Sequence, residues 1–222
     1  MMTLKEFCSK VDYSYLGWIC EKSIVRDFCE KAVQYGFASV CVNPDQVKYA
    51  ASILKGRAGI SCVCGFPCGA NSAEIKIAEA CEAIDNGATD VDVVSNLSMV
   101  RNRETGLLAE EYKKIVFAIR KKKPETVIKF IIYAPYGTNP CFDDEELKTV
   151  SELVLASGAD YIKFVADPDV IKKYTGGGIK MKFSGCSSFE VTLDAVLKGC
   201  DRVGCDENVV PWIEEHRHIF AD

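Results

Sequence analysis

The chain has 222 residues and a mass of 24.5 kDa, with 48% hydrophobic and 27% charged residues, which is enough for one sizeable core without division into domains. Its formal net charge of -5 and pI near 5.3 argue against a nucleic-acid surface. Residues 1–10 are polar and lack the apolar region of a signal peptide, and no apolar run is long enough to cross a bilayer, so the expected location is the cytoplasm.

In chain order, residues 3–10 predict a short helix and residues 11–16 a strand with an acid, Asp12, near its start. Residues 21–35 place Ile24, Phe28, Cys29, Ala32 and Val33 at helical spacing, with Gly36 closing the helix. A buried strand over 37–42 ends at Asn43-Pro44, and a helix follows over 45–54. The third strand, 59–64, stops at Gly65-Phe66-Pro67; Ser72 is the expected N-cap of a helix that Gly87 follows. Residues 90–94 form the fourth strand and 108–122 a long amphipathic helix, whose basic end Arg120-Lys121-Lys122-Lys123 reads as solvated and suited to the helix dipole. The fifth strand is expected over 127–133 and the next helix over 143–157.

The sixth strand carries Lys163 inside the apolar run Tyr161-Ile162-Lys163-Phe164-Val165; Asp167 is the expected N-cap of a short helix with Pro168 at its first position. The seventh strand carries Lys182 in Met181-Lys182-Phe183-Ser184-Gly185, and Ser187 with Glu190 reads as a capping box. Residues 202–205 are the eighth strand, and a last helix starts near Glu207.

Eight apolar strands alternating with helices predict an α/β fold, a single-domain (β/α)8 TIM barrel over residues 1–222. The doubly wound sheet is the alternative; the count of eight and the absence of Gly-x-Gly-x-x-Gly at the first turn favour the barrel. Gly176-Gly177-Gly178 reads as a hinge rather than an anion cradle. The twelve cysteines read as reduced thiols: Cys41, Cys62 and Cys64 lie in apolar runs, Cys29 and Cys81 on helix faces. Cys62, Cys64 and Cys68 fit no zinc spacing, and no metal or cofactor is expected.

Barrel active sites lie at the carboxyl ends of the strands. The charged candidates there are Asp12, Asp92, Lys129, Lys163 and Lys182, while the two histidines, His216 and His218, stand in the C-terminal tail. Carboxylates and lysines therefore have to carry any chemistry. A lysine attacks a carbonyl only as the neutral amine, about one part in a few thousand at pH 7 for an ordinary lysine. Burial and a second ammonium both favour the neutral form, and adjacent strands, about 4.8 Å apart, can bring Lys163 and Lys182 together. The expected pKa of Lys163 is accordingly lowered. The alternative is that both lysines lie at strand ends and reach solvent.

Four segments then carry a family resemblance: Tyr35-Gly36-Phe37-Ala38-Ser39-Val40-Cys41-Val42-Asn43-Pro44, Gly65-Phe66-Pro67-Cys68-Gly69-Ala70, Asn86-Gly87-Ala88-Thr89-Asp90-Val91-Asp92-Val93-Val94, and Ser157-Gly158-Ala159-Asp160-Tyr161-Ile162-Lys163. In order and spacing the chain resembles deoxyribose-phosphate aldolase, a class I aldolase with a (β/α)8 fold. The resemblance implies that Lys163 forms the Schiff base, Lys182 lowers its pKa and Asp92 belongs to the proton relay. It puts Asp12, Cys41, Lys129, Gly185 and Gly204 in the substrate-binding set.

The departures lie on the substrate side. Where the family has Thr-Ser-Thr-Gly-Phe after the Schiff-base lysine, this chain has Phe164-Val165-Ala166-Asp167-Pro168. The family's Ser-Gly-Gly is here Ser184-Gly185-Cys186, its serine-rich end of strand eight Cys205-Asp206-Glu207, and its Glu-Thr after strand five Tyr133-Ala134. Asp167 and Asp206, read as N-caps, would occupy the helix N–H groups and repel phosphate. The resemblance implies reversible cleavage of 2-deoxy-D-ribose 5-phosphate to acetaldehyde and glyceraldehyde 3-phosphate. A related aldolase with an unphosphorylated substrate and a non-catalytic binding barrel stay open. The expected partner is a small aldehyde or sugar phosphate, with neither nucleic acid nor membrane, and a homodimer is the candidate assembly.

Overall fold

The computed structural model describes residues 2–133 and 142–221. The elements follow in chain order as α1 (Leu4–Cys8), β1 (Val11–Tyr15), α2 (Lys22–Tyr35), β2 (Ser39–Val42), a 3-10 turn (Pro44–Gln46), α3 (Val47–Leu54), β3 (Gly59–Cys64), α4 (Ala73–Asp85), β4 (Asp90–Val94), α5 (Leu97–Arg101), α6 (Thr105–Lys122), β5 (Val127–Ile131), α7 (Asp144–Ser157), β6 (Tyr161–Phe164), α8 (Pro168–Thr175), β7 (Lys180–Phe183), α9 (Phe189–Leu197), β8 (Arg202–Cys205) and α10 (Val209–Glu215). The eight strands pair in parallel in chain order and close, β8 returning to β1, so the expected (β/α)8 barrel is the fold.

Period-two alternation sorts each strand into two faces. Outward residues such as Val40, Cys62, Val91, Phe130, Ile162 and Phe183 join the helices in one continuous apolar shell. Inward residues form layers. Asp12, Ser39, Ser61, Asp92, Lys129 and Lys182 are buried in the barrel. Two residues further along their strands, Cys41, Val63, Val94 and Ile131 make a small apolar layer above, with Leu16, Phe66 and Tyr133 packed against it. Barrel interiors are usually filled by branched apolar residues; here the middle is ionic.

Local chemistry accounts for most element ends. Ser72 accepts from Ile75 N, and Asp167 accepts from Asp169 N with Pro168 at the first helical position, both as expected. Five expectations are corrected. The cap of α9 is Ser188, not Ser187: its side chain accepts from Val191 N, so the predicted capping box with Glu190 at the third position is absent. A short helix, α5, precedes α6, started by Asn96 accepting from Met99 N. β5 ends at Ile131 rather than Tyr133, and α10 is capped by Asn208, so Asp206 is not its N-cap. The basic end of α6 is not simply solvated either: Arg120 meets Asp160 at 2.7 Å and Lys122 meets Asp85 at 2.6 Å. Among the described residues no helix is long and apolar enough to cross a membrane.

The loop after β3 is held against the end of β4 through Gly69, at φ +65, where a Cβ would lie 2.0 Å from Ser95 O. Only glycine permits that approach, and it keeps Phe66 beside the upper apolar layer.

Candidate active site

β4 sends Asp90 and Asp92, two residues apart, to the same face, and β5 sets Lys129 in register with Asp92. Lys129 Nζ donates to Asp90 Oδ2 at 2.6 Å, Asp92 Oδ1 at 2.9 Å and Ser61 Oγ at 3.2 Å. On the opposite side β6 and β7 place Lys163 and Lys182 in register with one another. Lys182 Nζ lies 2.6 Å from Asp12 Oδ2 and 2.8 Å from Asp92 Oδ2. Lys163 Nζ donates to that same Asp92 Oδ2 at 2.9 Å. Asp12 is completed by Ser39 Oγ at 2.7 Å and Arg202 at 2.9 Å. Four cations (Lys129, Lys163, Lys182, Arg202) therefore meet three carboxylates (Asp12, Asp90, Asp92), leaving one positive charge in excess.

The charges hold one another in their ionised states. Burial would push the Asp92 carboxyl up, but Lys129, Lys163 and Lys182 outweigh it and hold it well below the usual carboxylate range. Asp12, opposed by the same burial, is held low by Lys182, Lys129 and Arg202. Burial disfavours the ammonium of Lys182, yet Asp12 and Asp92 raise it well above an ordinary lysine. Lys163 differs from the sequence expectation. Burial, the largest influence, favours its neutral amine and Lys182 acts in the same direction, but Asp92, joined by smaller contributions from Tyr133 and Cys41, opposes them and the net pKa is raised. Sequence alone could place a second lysine beside Lys163; it could not show a carboxylate within 3 Å of the amine.

Lys163 is nevertheless the lysine of the cluster with the fewest ionic attachments among the described residues. Its one ionic partner is an oxygen already shared with Lys182, whereas Lys182 has two carboxylates and Lys129 has two within 3 Å. Among the described residues it is also the one cation lining a cavity of about 360 Å³ at the carboxyl end of the barrel. Tyr15, Leu16, Phe66 and Tyr133 supply apolar walls there; Ser14, Ser184, Cys186, Gly204 and Cys205 supply polar or small ones; Asp206 and Glu207 also line it. The excess proton of the cluster thus has one way out, through Lys163, and its loss leaves three cations balanced by three carboxylates. A neutral amine facing an apolar-walled cavity, with a carboxylate and a second ammonium behind it, can add to a carbonyl and manage the protons of imine formation.

Of the residues singled out from sequence, Lys163, Lys182, Asp92, Asp12 and Lys129 come together in one network. Gly204 lines the cavity; a Cβ there would lie 2.8 Å from Ser184 Oγ and 3.4 Å from Lys182 Cε. Gly185 packs against the Phe183 ring, and Cys41 is fully buried in the upper apolar layer with its thiol pushed up by burial; neither is among the lining residues. Asp167 is not there either: its carboxylate caps α8 and pairs with Lys198 at 3.0 Å. Asp206 does line the cavity, with Oδ1 accepting from Asn208 N at 3.0 Å. Ala134, of the pair Tyr133-Ala134, lies outside the described residues. Sequence reading passed over Asp90, Arg202, Ser39 and Ser61. Period-two parity with Asp92 could have found Asp90; nothing local marks the others, whose roles come from partners on other strands.

No protein-family model matches the chain. It is 33% identical over 219 residues to the deoxyribose-phosphate aldolase of Caldanaerobacter subterraneus subsp. tengcongensis, covering 93% of this chain and 92% of that one. It is 34% identical over 202 residues to the deoxyribose-phosphate aldolase of Aquifex aeolicus, covering 86% and 87%. Among solved structures, an aldolase called QR15 superposes with a TM-score of 0.84 at 31% identity, covering 98% of this chain and 99% of that one. The tetrameric deoxyribose phosphate aldolase of Aeropyrum pernix superposes at 0.85 with 23% identity, over 98% and 93%, a likeness of fold.

Proposed function

The chain belongs to the deoxyribose-phosphate aldolase family, and from that premise we propose that it is a class I aldolase. It reversibly cleaves 2-deoxy-D-ribose 5-phosphate, or a close unphosphorylated counterpart, to acetaldehyde and the corresponding glyceraldehyde. The observation that carries this reading is Lys163: 3% exposed, at the floor of the cavity, attached through one shared carboxylate oxygen.

In this mechanism Lys163 loses the excess proton and attacks C1 of the open-chain sugar, and water leaves to give an iminium. The C3 hydroxyl gives up its proton as the C2–C3 bond breaks. That oxygen becomes the carbonyl of the glyceraldehyde, and the bonding pair moves to the iminium to form an enamine. The enamine takes a proton at C2, and water then releases acetaldehyde and regenerates the amine. Asp92, through a bridging water, carries protons, because it alone touches Lys129, Lys163 and Lys182. Lys182 favours the neutral state of Lys163; Asp12 holds Lys182 in place, and Lys129 holds Asp92. Gly204 leaves room at the cavity wall, and the layer that holds Cys41 packs behind the wall residues Leu16, Phe66 and Tyr133.

The chain acts as one domain over residues 1–222. A cytoplasmic location accords with eleven described cysteines all being free thiols. Exposed Leu107 and Phe117 on α6 offer a homodimer apolar surface to bury, and light scattering reads that assembly directly. The reaction is tested by acetaldehyde release from 2-deoxy-D-ribose and its 5-phosphate. Borohydride should inactivate the protein only while substrate is present. Full activity after that treatment would exclude an imine.

A further inference from the structure

The outer part of the cavity carries charge of one sign. Asp206 and Glu207 line it and are exposed to solvent, and Lys163, on its floor, is the one cation among the lining residues. Asp206 is fixed in place, with Oδ1 accepting from both the backbone N and Nδ2 of Asn208 at 3.0 Å. Among the described residues neither carboxylate has a cationic partner. Residues 134–141, which follow the lining residue Tyr133, contain no lysine or arginine. The nearby start of α9 offers an anion little: Ser188 already takes the Val191 N–H, and Glu190 stands in the first turn. What the wall does offer is hydroxyl chemistry, including Ser184 Oγ, which has no hydrogen-bond partner among the described residues.

We propose that this end of the cavity selects an uncharged, hydroxylated acceptor, so that the free 2-deoxy sugar is used in preference to its phosphate ester. Asp206 and Glu207 are the residues that set the preference. The inference rests on the reading of Lys163 as the imine-forming lysine; the bonds made and broken are the same. A carboxylate about 6 Å from one unit of phosphate charge costs roughly a hundredfold in affinity at an effective dielectric of about 20. Both groups here face water, and an effective dielectric nearer 40 reduces this to about tenfold for each. Sugar hydroxyls meet the opposite situation, because they donate to carboxylates in charge-assisted hydrogen bonds.

The test compares kcat/KM for 2-deoxy-D-ribose and for its 5-phosphate in the wild type and in the double variant Asp206→Asn, Glu207→Gln, which keeps shape and removes charge. The wild type should favour the free sugar, and the variant should move the ratio toward the phosphate ester by about a hundredfold, tenfold for each carboxylate removed. In the wild type, raising salt from low to high should lower KM for the phosphate ester and leave that for the free sugar in place. A wild type that prefers the phosphate ester, or a ratio that the double variant leaves unmoved, overturns the inference. Trapping with acetaldehyde separates the two levels: an adduct on Lys163 together with a phosphate preference sinks this inference alone, and no adduct sinks the aldolase reading beneath it as well.

Discussion

In the middle of the barrel Asp12, Asp90 and Asp92 meet Lys129, Lys182 and Arg202 at 2.6 to 2.9 Å, whereas at its mouth Asp206 and Glu207 face water with no cationic partner among the described residues. The two regions bind their charges under different rules. Removing one partner from a buried pair leaves an uncompensated charge and costs about 3–5 kcal/mol. An exposed charge contributes about 0–1 kcal/mol even when paired. The interior set is therefore interdependent: each member is held ionised by the others, and none can change alone without a cost of that size in stability. The rim is nearly free of that constraint, so charge there can be set by what enters the cavity. Lys163 stands at the boundary, buried like the interior and reached from the mouth.

The sharpest way to break the comparison is Lys163→Met. With only one shared bond to Asp92, its loss leaves three cations and three carboxylates, so the melting temperature should change little. Imine formation and sugar cleavage should fall by about 10⁴-fold or more. A variant that unfolds instead would place Lys163 among the structural charges.

Asp92→Asn should do both kinds of damage: about 3–5 kcal/mol of stability, from three lysines losing their shared acceptor, and roughly 10²–10⁴-fold in cleavage from the lost proton carrier. Its pH dependence fixes the cause. The folded carboxyl lies well below its unfolded value, so its contribution is fully present above about pH 4 and is lost as pH falls through the folded value. Urea midpoints of wild type and variant should therefore converge as pH drops below about 4. A constant gap would mean that packing, not charge, holds Asp92.

Lys182→Met sharpens the boundary itself. Lys182 favours the neutral form of Lys163, so its removal should raise the Lys163 pKa and slow imine formation at pH 7 by about tenfold. The profile of adduct formation against pH should move to the alkaline side; an unmoved profile would show that the two ammonium groups are uncoupled. The smallest effect is expected at the mouth. Gly204→Ala puts a Cβ 2.8 Å from Ser184 Oγ, a movable hydroxyl, so KM should rise by a few-fold while that pH profile stays in place.

The parts of the molecule that sequence made legible are those governed by local pattern. Alternating apolar runs and capping residues located all eight strands, and Arg202–Cys205 was placed to the residue. The adjacency of Lys163 and Lys182 followed from consecutive strands. Features that depend on partners far along the chain were not legible. Asp90 and Arg202 acquire their places from Lys129 and Asp12, on other strands. The raised pKa of Lys163 depends on Asp92, 71 residues away. The choice of Ser188 over Ser187 as a cap turned on one residue of loop length, and Asp167 left the cavity to pair with Lys198. Asp206 and Glu207 were readable as departures from a family pattern, but their place in the cavity wall was not.

The central claim is that one lysine of the buried cluster, Lys163, is released to attack a carbonyl. Incubation with acetaldehyde, reduction by borohydride and peptide mass mapping tests it directly. The account predicts one reduced adduct, on Lys163. Its yield should climb about tenfold per pH unit from neutral pH upward and still be climbing above the ordinary lysine value near 10.4, because Asp92 holds the ammonium. An adduct on Lys182, or no adduct at any pH at which the barrel stays folded, would contradict it.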